Sequence, residues 1–344
     1  MIRLSPVSST ISALVALFLT FAVVAACTGL PRYGVTLPSL PPVALQTSDR
    51  FTMPDGAVLP ARAWFPSDVA STPPRAIVLA LHGFNDSRDA WDLPAPLFTR
   101  AGIALFAPDQ RSFGAAPSRG FWPGAPILAN DAAAMLAQLR ARYPTTPLYA
   151  MGESMGGAVL MTLAARPDAP KIDGWILLSP AVWGRNQMGP AMSAGLWLVS
   201  GLLPGLSFTG AEVPLRVRAS DNNEALLALV RNPLTIRRTR IDALRGLTDL
   251  MDDAQAAASK LHGRTLILYG AKDMLVPENA TARAWSNLPA TTRFAYYPEG
   301  YHLLLRDLGR AAPINDVIAW ITDPSTFLPS GADTAAAAWR AANH

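Results

Sequence analysis

Gly152-Glu153-Ser154-Met155-Gly156 places a serine between a short apolar run, Leu148 to Met151, and an alanine-rich stretch of helical composition, Ala158 to Arg166. A serine on a strand-to-helix turn, with glycine two residues away on either side where a side chain would clash, sits on strained backbone with its hydroxyl presented to a substrate carbonyl. The helix that follows aims its N-terminal amides at the same place, which suits developing negative charge. The chemistry of such an arrangement is acyl transfer, and it requires a base.

The chain offers four histidines, His82, His262, His302 and His344. His344 is the last residue, and His262 precedes the apolar run Thr265 to Tyr269, at the end of a strand where α/β sheets do not usually build sites. His82 ends the run Ile77 to Leu81 and lies upstream of the serine. His302, in Glu299-Gly300-Tyr301-His302 after the run Arg293 to Tyr297, fits the order serine, acid, histidine, one of the known triad orders. Its alternative role is a structural loop hydrogen bond.

The acid then belongs at the carboxyl end of a strand between the two. Asp273 follows Thr265 to Tyr269 through Gly270-Ala271-Lys272, and would hold the imidazole in its proton-accepting tautomer and stabilise the imidazolium. It is equally placed to cap the segment beginning near Pro277. Asp242, Asp249, Asp252 and Asp253 lie in a helical stretch and read as solvated faces. The backbone N–H groups of Met155, after the nucleophile, and of Phe84, in the loop Leu81-His82-Gly83-Phe84, are the expected donors to the oxyanion.

Taken together, His82-Gly83-Phe84, Asp109 to Gly114, Gly152 to Gly157, Asp273 and His302 resemble the α/β-hydrolases of the monoacylglycerol lipase and lysophospholipase group, which is serine aminopeptidase S33-like. The segment Asp109-Gln110-Arg111-Ser112-Phe113-Gly114-Ala115-Ala116-Pro117-Ser118 is similar to that group's D-x-R-G-F-G-x-S. The resemblance runs from near Phe51 to near Asp323. It implies a mostly parallel eight-stranded sheet with helices on both faces and an inserted helical cap, and monoacylglycerol or lysophospholipid substrates. In two places the chain departs from the pattern. Glu153 stands where many members carry histidine, though glutamate also occurs, and Ser112 stands where glycine is usual.

The elements that must position these residues follow from the pattern of the chain. At 344 residues and 50% hydrophobic, it is long enough for one large α/β domain. Leu45 to Met53 and Ala57 to Phe65 read as a hairpin around Pro54-Asp55-Gly56. Strands are expected at Ile77 to Leu81, Ile103 to Ala107, Leu148 to Met151, Trp175 to Ser179, Thr265 to Tyr269 and Arg293 to Tyr297. Helices are expected near Trp91 to Ala101, and at Ala129 to Tyr143, Ala158 to Ala165, Glu278 to Ser286 and Ile314 to Ile321. Such alternation argues a parallel sheet covered on both faces.

The expected organisation is a core of residues 45–183 and 263–323, a cap at 184–262 and a tail at 324–344. No strand is evident in the cap, and helices are expected at Met188 to Leu203, Asn223 to Arg231 and Ile241 to Lys260. The apolar residues Met188, Met192, Leu196, Trp197, Val199, Leu202 and Leu203 fit either an acyl groove or lipid-facing surface, or simple packing of the cap onto the core. The tail reads as a short terminal helix or as partly disordered, without an assigned role.

A net charge of +4 from scattered arginines, with no basic cluster interleaved with aromatics, argues against nucleic acid as a partner. No metal-ligand spacing, dinucleotide fingerprint or phosphate loop is present, so no cofactor or metal is expected. The single cysteine, Cys27, follows an apolar stretch, Ile11 to Ala26, of about sixteen residues, short for a membrane span and suited to a signal-peptide core. Val24-Ala25-Ala26-Cys27 resembles the bacterial lipoprotein signal, which implies a signal peptide at 1–26, cleavage before Cys27 and lipidation of its thiol. The alternative is a plain secretory signal. Residues 27–44, with Pro31, Pro38, Pro41 and Pro42, read as an extended tether. Thr28 after the cysteine favours the outer membrane of a bacterial cell envelope.

The expectation is therefore a membrane-tethered serine hydrolase of carboxylic esters. An acyltransferase or peptidase with the same triad, or a non-catalytic envelope lipoprotein, are its rivals. A peptidase would call for an acidic group near the site to hold a substrate amine, with Glu153 as candidate.

Overall fold

The computed structural model describes residues 45–67, 72–209, 212 and 217–343. The expected signal segment, Cys27, the expected tether and His344 lie outside the described residues.

Eight strands form one sheet. In chain order they are β1 (Leu45–Thr52), β2 (Val58–Phe65), β3 (Ala76–Leu81), β4 (Ile103–Pro108), β5 (Leu148–Glu153), β6 (Gly174–Leu178), β9 (Thr265–Gly270) and β10 (Arg293–Tyr297). Their spatial order is β1-β2-β4-β3-β5-β6-β9-β10. β1 pairs antiparallel with β2, and β2 antiparallel with β4, whereas every pair from β4 to β10 is parallel. The six residues of β3 are all buried, as a strand with both faces covered must be. Alternation sorts its side chains between the two faces. Ile77, Leu79 and Leu81 join one apolar cluster, and Ala76, Val78 and Ala80 the other.

The first face is covered by α2 (Ala125–Arg142), α3 (Met155–Ala164), α7 (Ile241–Ala257), α8 (Glu278–Asn287) and α10 (Ala332–Ala342). The second is covered by α1 (Ala95–Arg100) and α9 (Ala311–Thr322), through Phe98, Ile314, Val317 and Trp320.

The helix expected near Trp91 to Ala101 is two pieces, a 3₁₀ turn at Arg88–Trp91 and α1, because Pro94 and Pro96 admit a helix only at its first turn. α2 begins four residues before the expected start for the same reason, with Pro126 in its first turn. The tail, to which the sequence assigns no role, forms α10 near its end, whose Trp339 stacks on Tyr296 with centroids 5.3 Å apart and donates to Glu278 Oε1 at 2.6 Å. Trp339 also meets Trp285 edge-on at 5.0 Å, so the tail closes one apolar face of the sheet.

Between β6 and β9 the chain forms α4 (Arg185–Met188), α5 (Pro190–Leu202), α6 (Asn223–Arg231) and α7. Gly189, at φ +82°, breaks the expected helix Met188 to Leu203 into α4 and α5. The expectation of no strand here is also corrected: β7 (Ser207–Thr209) and β8 (Arg238–Arg240) pair antiparallel. These strands are three residues long, with Phe208 their one apolar residue, too short for an alternation to reveal them. α7 shares an apolar cluster with α3 through Leu247, Leu250, Met251 and Ala254, and thereby forms part of the layer flanking the sheet.

The loop after β4 is held in place by its own residue types. Asp109, fully buried, accepts from the backbone N–H of Arg88 at 2.8 Å and of Ala115 at 2.7 Å. Gly114, at φ +56°, has no room for a Cβ, which would stand 2.2 Å from the Asp109 carboxyl carbon. Arg111 bridges Asp131 and Asp55. Ser112, where glycine was the usual residue, lies at φ +73°. Ser112→Gly is expected to raise stability by about 0.5–1 kcal/mol, the relief of left-handed strain (about 1–2 kcal/mol) less the added entropy of the unfolded chain (about 0.4–1 kcal/mol). Denaturant unfolding checks this, and a loss of stability would mean that the Ser112 hydroxyl has a structural partner.

Candidate active site

Every nominated site residue apart from Cys27 falls at the carboxyl ends of neighbouring strands, where parallel α/β sheets build their crevices. Ser154 follows β5 directly and α3 starts at the next residue, three residues before the sequence suggests. Its backbone is at φ +53°, ψ −115°, a region that costs a non-glycine residue of order 1–3 kcal/mol and persists only when over-determined. The determinants are on hand. Ser154 N–H donates to Leu178 C=O at 2.9 Å, and its C=O accepts from Ala158 and Ala181 N–H, both at 3.0 Å. A Cβ at Gly152 would stand 2.4 Å from the Gly156 backbone, and one at Gly156 2.4 Å from Leu81 C=O. Both glycines are steric requirements of the turn.

His302 is buried in the loop after β10, and its Nδ1 lies 2.7 Å from Asp273 Oδ2. Asp273 stands in the loop after β9, and its other oxygen accepts from the N–H groups of Leu275 and Val276 at 2.8 and 2.9 Å. Asp273 thus pairs with the imidazole and also caps the turn before α8, not the helix itself, whose first flanking residue is Pro277. The two loops interlock because Gly270 and Gly300 are bare. A Cβ on Gly270 would stand 2.4 Å from Gly300 C=O, and Lys272 N–H donates to that same carbonyl at 2.9 Å. Burial lowers the affinity of the His302 imidazole for a proton, but the charge and hydrogen bond of Asp273, with a contribution from Glu153, hold it above the usual histidine range. The other ring nitrogen, Nε2, is buried with no hydrogen-bond partner among the described residues. It is the nitrogen that can receive a proton.

His82 is also fully buried, and both of its nitrogens are engaged. Nε2 accepts from Gln110 N–H at 3.0 Å, so Nδ1 carries the proton and donates to Gly83 C=O at 2.7 Å. In a trans peptide that bond turns the next amide, Phe84 N–H, away from His82. Gly83 brings this loop against the serine: a Cβ there would lie 3.4 Å from Ser154 Cβ. Met155, the first residue of α3, has an N–H without an intrahelical acceptor.

His262 is exposed at the opposite end of the sheet, its N–H bonded to Ala164 C=O at 3.0 Å. Asp249 and Asp252 pair with Arg185, and Asp242 with Arg240, none of them near the imidazole pair.

Two polar residues of the site escaped the sequence reading. Arg306, four residues after His302, donates to Glu153, the residue before Ser154, and to Asp86, two residues after Phe84. Only the adjacency of charged residues to each motif pointed to them, and that signal is common. A strained serine at a helix N-terminus, a buried imidazole oriented by a carboxylate, and two backbone donors together can perform nucleophilic acyl transfer.

A sequence model of the family described as "Serine aminopeptidase, S33" matches residues 72–309. A monoacylglycerol lipase of Mycolicibacterium smegmatis is 23% identical over 254 residues, covering 73% of this chain and 89% of that protein. Among solved structures, a monoacylglycerol lipase of Paleococcus ferrophilus superposes with TM-score 0.64 at 21% identity, over 78% of this chain and 99% of the other. A soluble variant of monoglyceride lipase from Saccharomyces cerevisiae, in complex with a substrate analog, does so with TM-score 0.69 at 17% identity, over 86% and 100%.

Proposed function

The chain belongs to the serine aminopeptidase S33 family of α/β-hydrolases, and on that footing we propose that it is a carboxylic ester hydrolase working through an acyl-enzyme on Ser154. The observation that supports this most is the buried Asp273–His302 pair, 2.7 Å apart, at the same sheet edge as a serine held at φ +53°. In this reading Ser154 Oγ attacks the ester carbonyl while His302 Nε2 takes its proton. Asp273 holds the imidazolium, and the N–H groups of Met155 and Phe84 receive the oxyanion. His302 then protonates the departing alcohol and activates the water that releases the acid.

Monoacylglycerol or lysophospholipid is the favoured substrate. The relatives named monoacylglycerol lipase support it, and so does the cap. In α5, Met192 and Leu196 pack inward, whereas Trp197 and Leu202 are 63% and 70% exposed, with Leu198, Leu203 and Leu206 beside them. An exposed apolar strip of this kind suits a substrate presented in a lipid surface. A lipid anchor at Cys27 in a bacterial outer membrane would hold the enzyme at such a surface. The peptidase reading loses its candidate amine holder, because Glu153 is buried and already engaged by Arg306.

Product analysis of the detergent-solubilised protein with monooleoylglycerol, lysophosphatidylcholine and an aminoacyl anilide tests the assignment. Release of fatty acid from either lipid, with little turnover of the anilide, is expected. Preferential anilide cleavage would replace ester hydrolysis by peptidase activity, and transfer of the acyl group to an added alcohol in place of water would make the protein a transferase.

A further inference from the structure

Asp86, Glu153 and Arg306 are 5%, 3% and 6% exposed. Arg306 Nη1 donates to Asp86 Oδ2 at 2.8 Å, and Nη2 donates to Glu153 Oε1. The three residues come from three segments: the loop after β3 that bears Phe84, the end of β5 that bears Ser154, and the loop after β10 that bears His302. Buried ion groups can often be replaced by packed hydrophobic residues at no loss of stability, so two carboxylates and a guanidinium in this place point to a task other than stability.

We propose that Arg306 is a positioning residue, its guanidinium fixing the serine, the oxyanion amide and the histidine in mutual register. The inference rests on the serine-hydrolase reading above. A forked guanidinium with two separate carboxylate partners sets a distance and an angle at once, which a point charge or an apolar contact does not. The cluster also acts on His302 through charge. The charged groups facing the imidazole are Asp273 from the loop after β9, Glu153 from β5 and Arg306 from its own loop; the two carboxylates favour the imidazolium and Arg306 opposes it. Glu153 in turn faces Arg306, Asp86 and His302; burial pushes its carboxyl upward and Arg306 opposes that. The carboxyl stays above its ordinary value even so, and Arg306 is the largest of the groups that favour its charged form.

The test compares the native full chain with Arg306→Met, Arg306→Lys and Glu153→Gln, using a soluble p-nitrophenyl ester across pH, a fluorophosphonate probe and thermal unfolding. Arg306→Met is expected to lower kcat about 100-fold, the scale of a displacement of about 1 Å at a reacting centre, with KM changed less than about threefold. Arg306→Lys should recover about tenfold of that loss and remain about tenfold below the native protein. Glu153→Gln retains an acceptor for Arg306 but removes a carboxylate that favours the imidazolium, so the acidic limb of the pH profile should move to lower pH. A folded Arg306→Met variant with native kcat overturns the proposal. Where that variant does not fold, a native kcat in Arg306→Lys overturns it, since a point charge would then serve as well as the fork. Failure of the native protein to react with the probe would instead refute the serine-hydrolase reading on which it rests.

Discussion

Alanine in place of Ser154 is expected to abolish labelling by a fluorophosphonate and to lower kcat by about four to six orders of magnitude. The change removes one oxygen from a residue whose fold contribution is all backbone. The N–H bond to Leu178 and the C=O bonds to Ala158 and Ala181 are untouched. Alanine meets the same positive-φ strain as serine, so the melting temperature should stay within a few degrees. Loss of reaction in a protein that still unfolds as the native one does would locate the nucleophile at the hydroxyl. Labelling that persists in the variant would place the reactive group elsewhere and sink the assignment of all three residues at once.

Asp273→Asn is expected to cost about 10⁴ in kcat, with the fold largely intact. The backbone dictates why. Leu275 and Val276 N–H both point at Oδ1, which must remain an oxygen, so the asparagine NH₂ group is forced toward His302 Nδ1. Two donors cannot face each other, and the imidazole proton moves to Nε2, the nitrogen that has to accept from Ser154. The pH dependence follows with a definite sign. His302 must be neutral to act as base, so activity falls as pH drops through its pKa. Burial depresses that pKa and Asp273 more than restores it, holding it above the usual histidine range. The native acidic limb should therefore lie above about 6.5, and the residual activity of Asp273→Asn should show a limb displaced to lower pH. Stopped-flow measurement of acyl-enzyme formation across pH checks both expectations. A variant with near-native rate would mean that Asp273 serves only to cap its turn.

Much of this site was legible because its rules are local. A serine between an apolar strand and a helix needs Gly152 and Gly156, since any side chain there would run into backbone about 2.4 Å away. Asp273 and His302 follow buried strands whose apolar runs are unmistakable, and strand ends are where the topology delivers residues to one edge. Proline positions, read more closely, would have placed the break before α1 and the start of α2.

Other features are written in no local pattern. β7 and β8, at three residues each, are too short for their alternation to be read, and α10 is mostly alanine with a single Trp339 to reveal its docking. α5 is apolar nearly all round, so only its neighbours decide that Met192 turns inward and Trp197 outward. Glu153 looked like a departure from a family pattern, and its partner lies 153 residues along the chain, with Asp86 a further link 220 residues from Arg306.

The sequence by itself determined the sheet, the elbow and the order of serine, acid and histidine, because steric exclusion at glycine and the burial of apolar strands act over a few residues. Only the tertiary structure decided which charges meet beneath the site and which face of the cap meets solvent. Ion pairing between distant segments follows from how the strands stack, a property that no periodicity along the chain encodes.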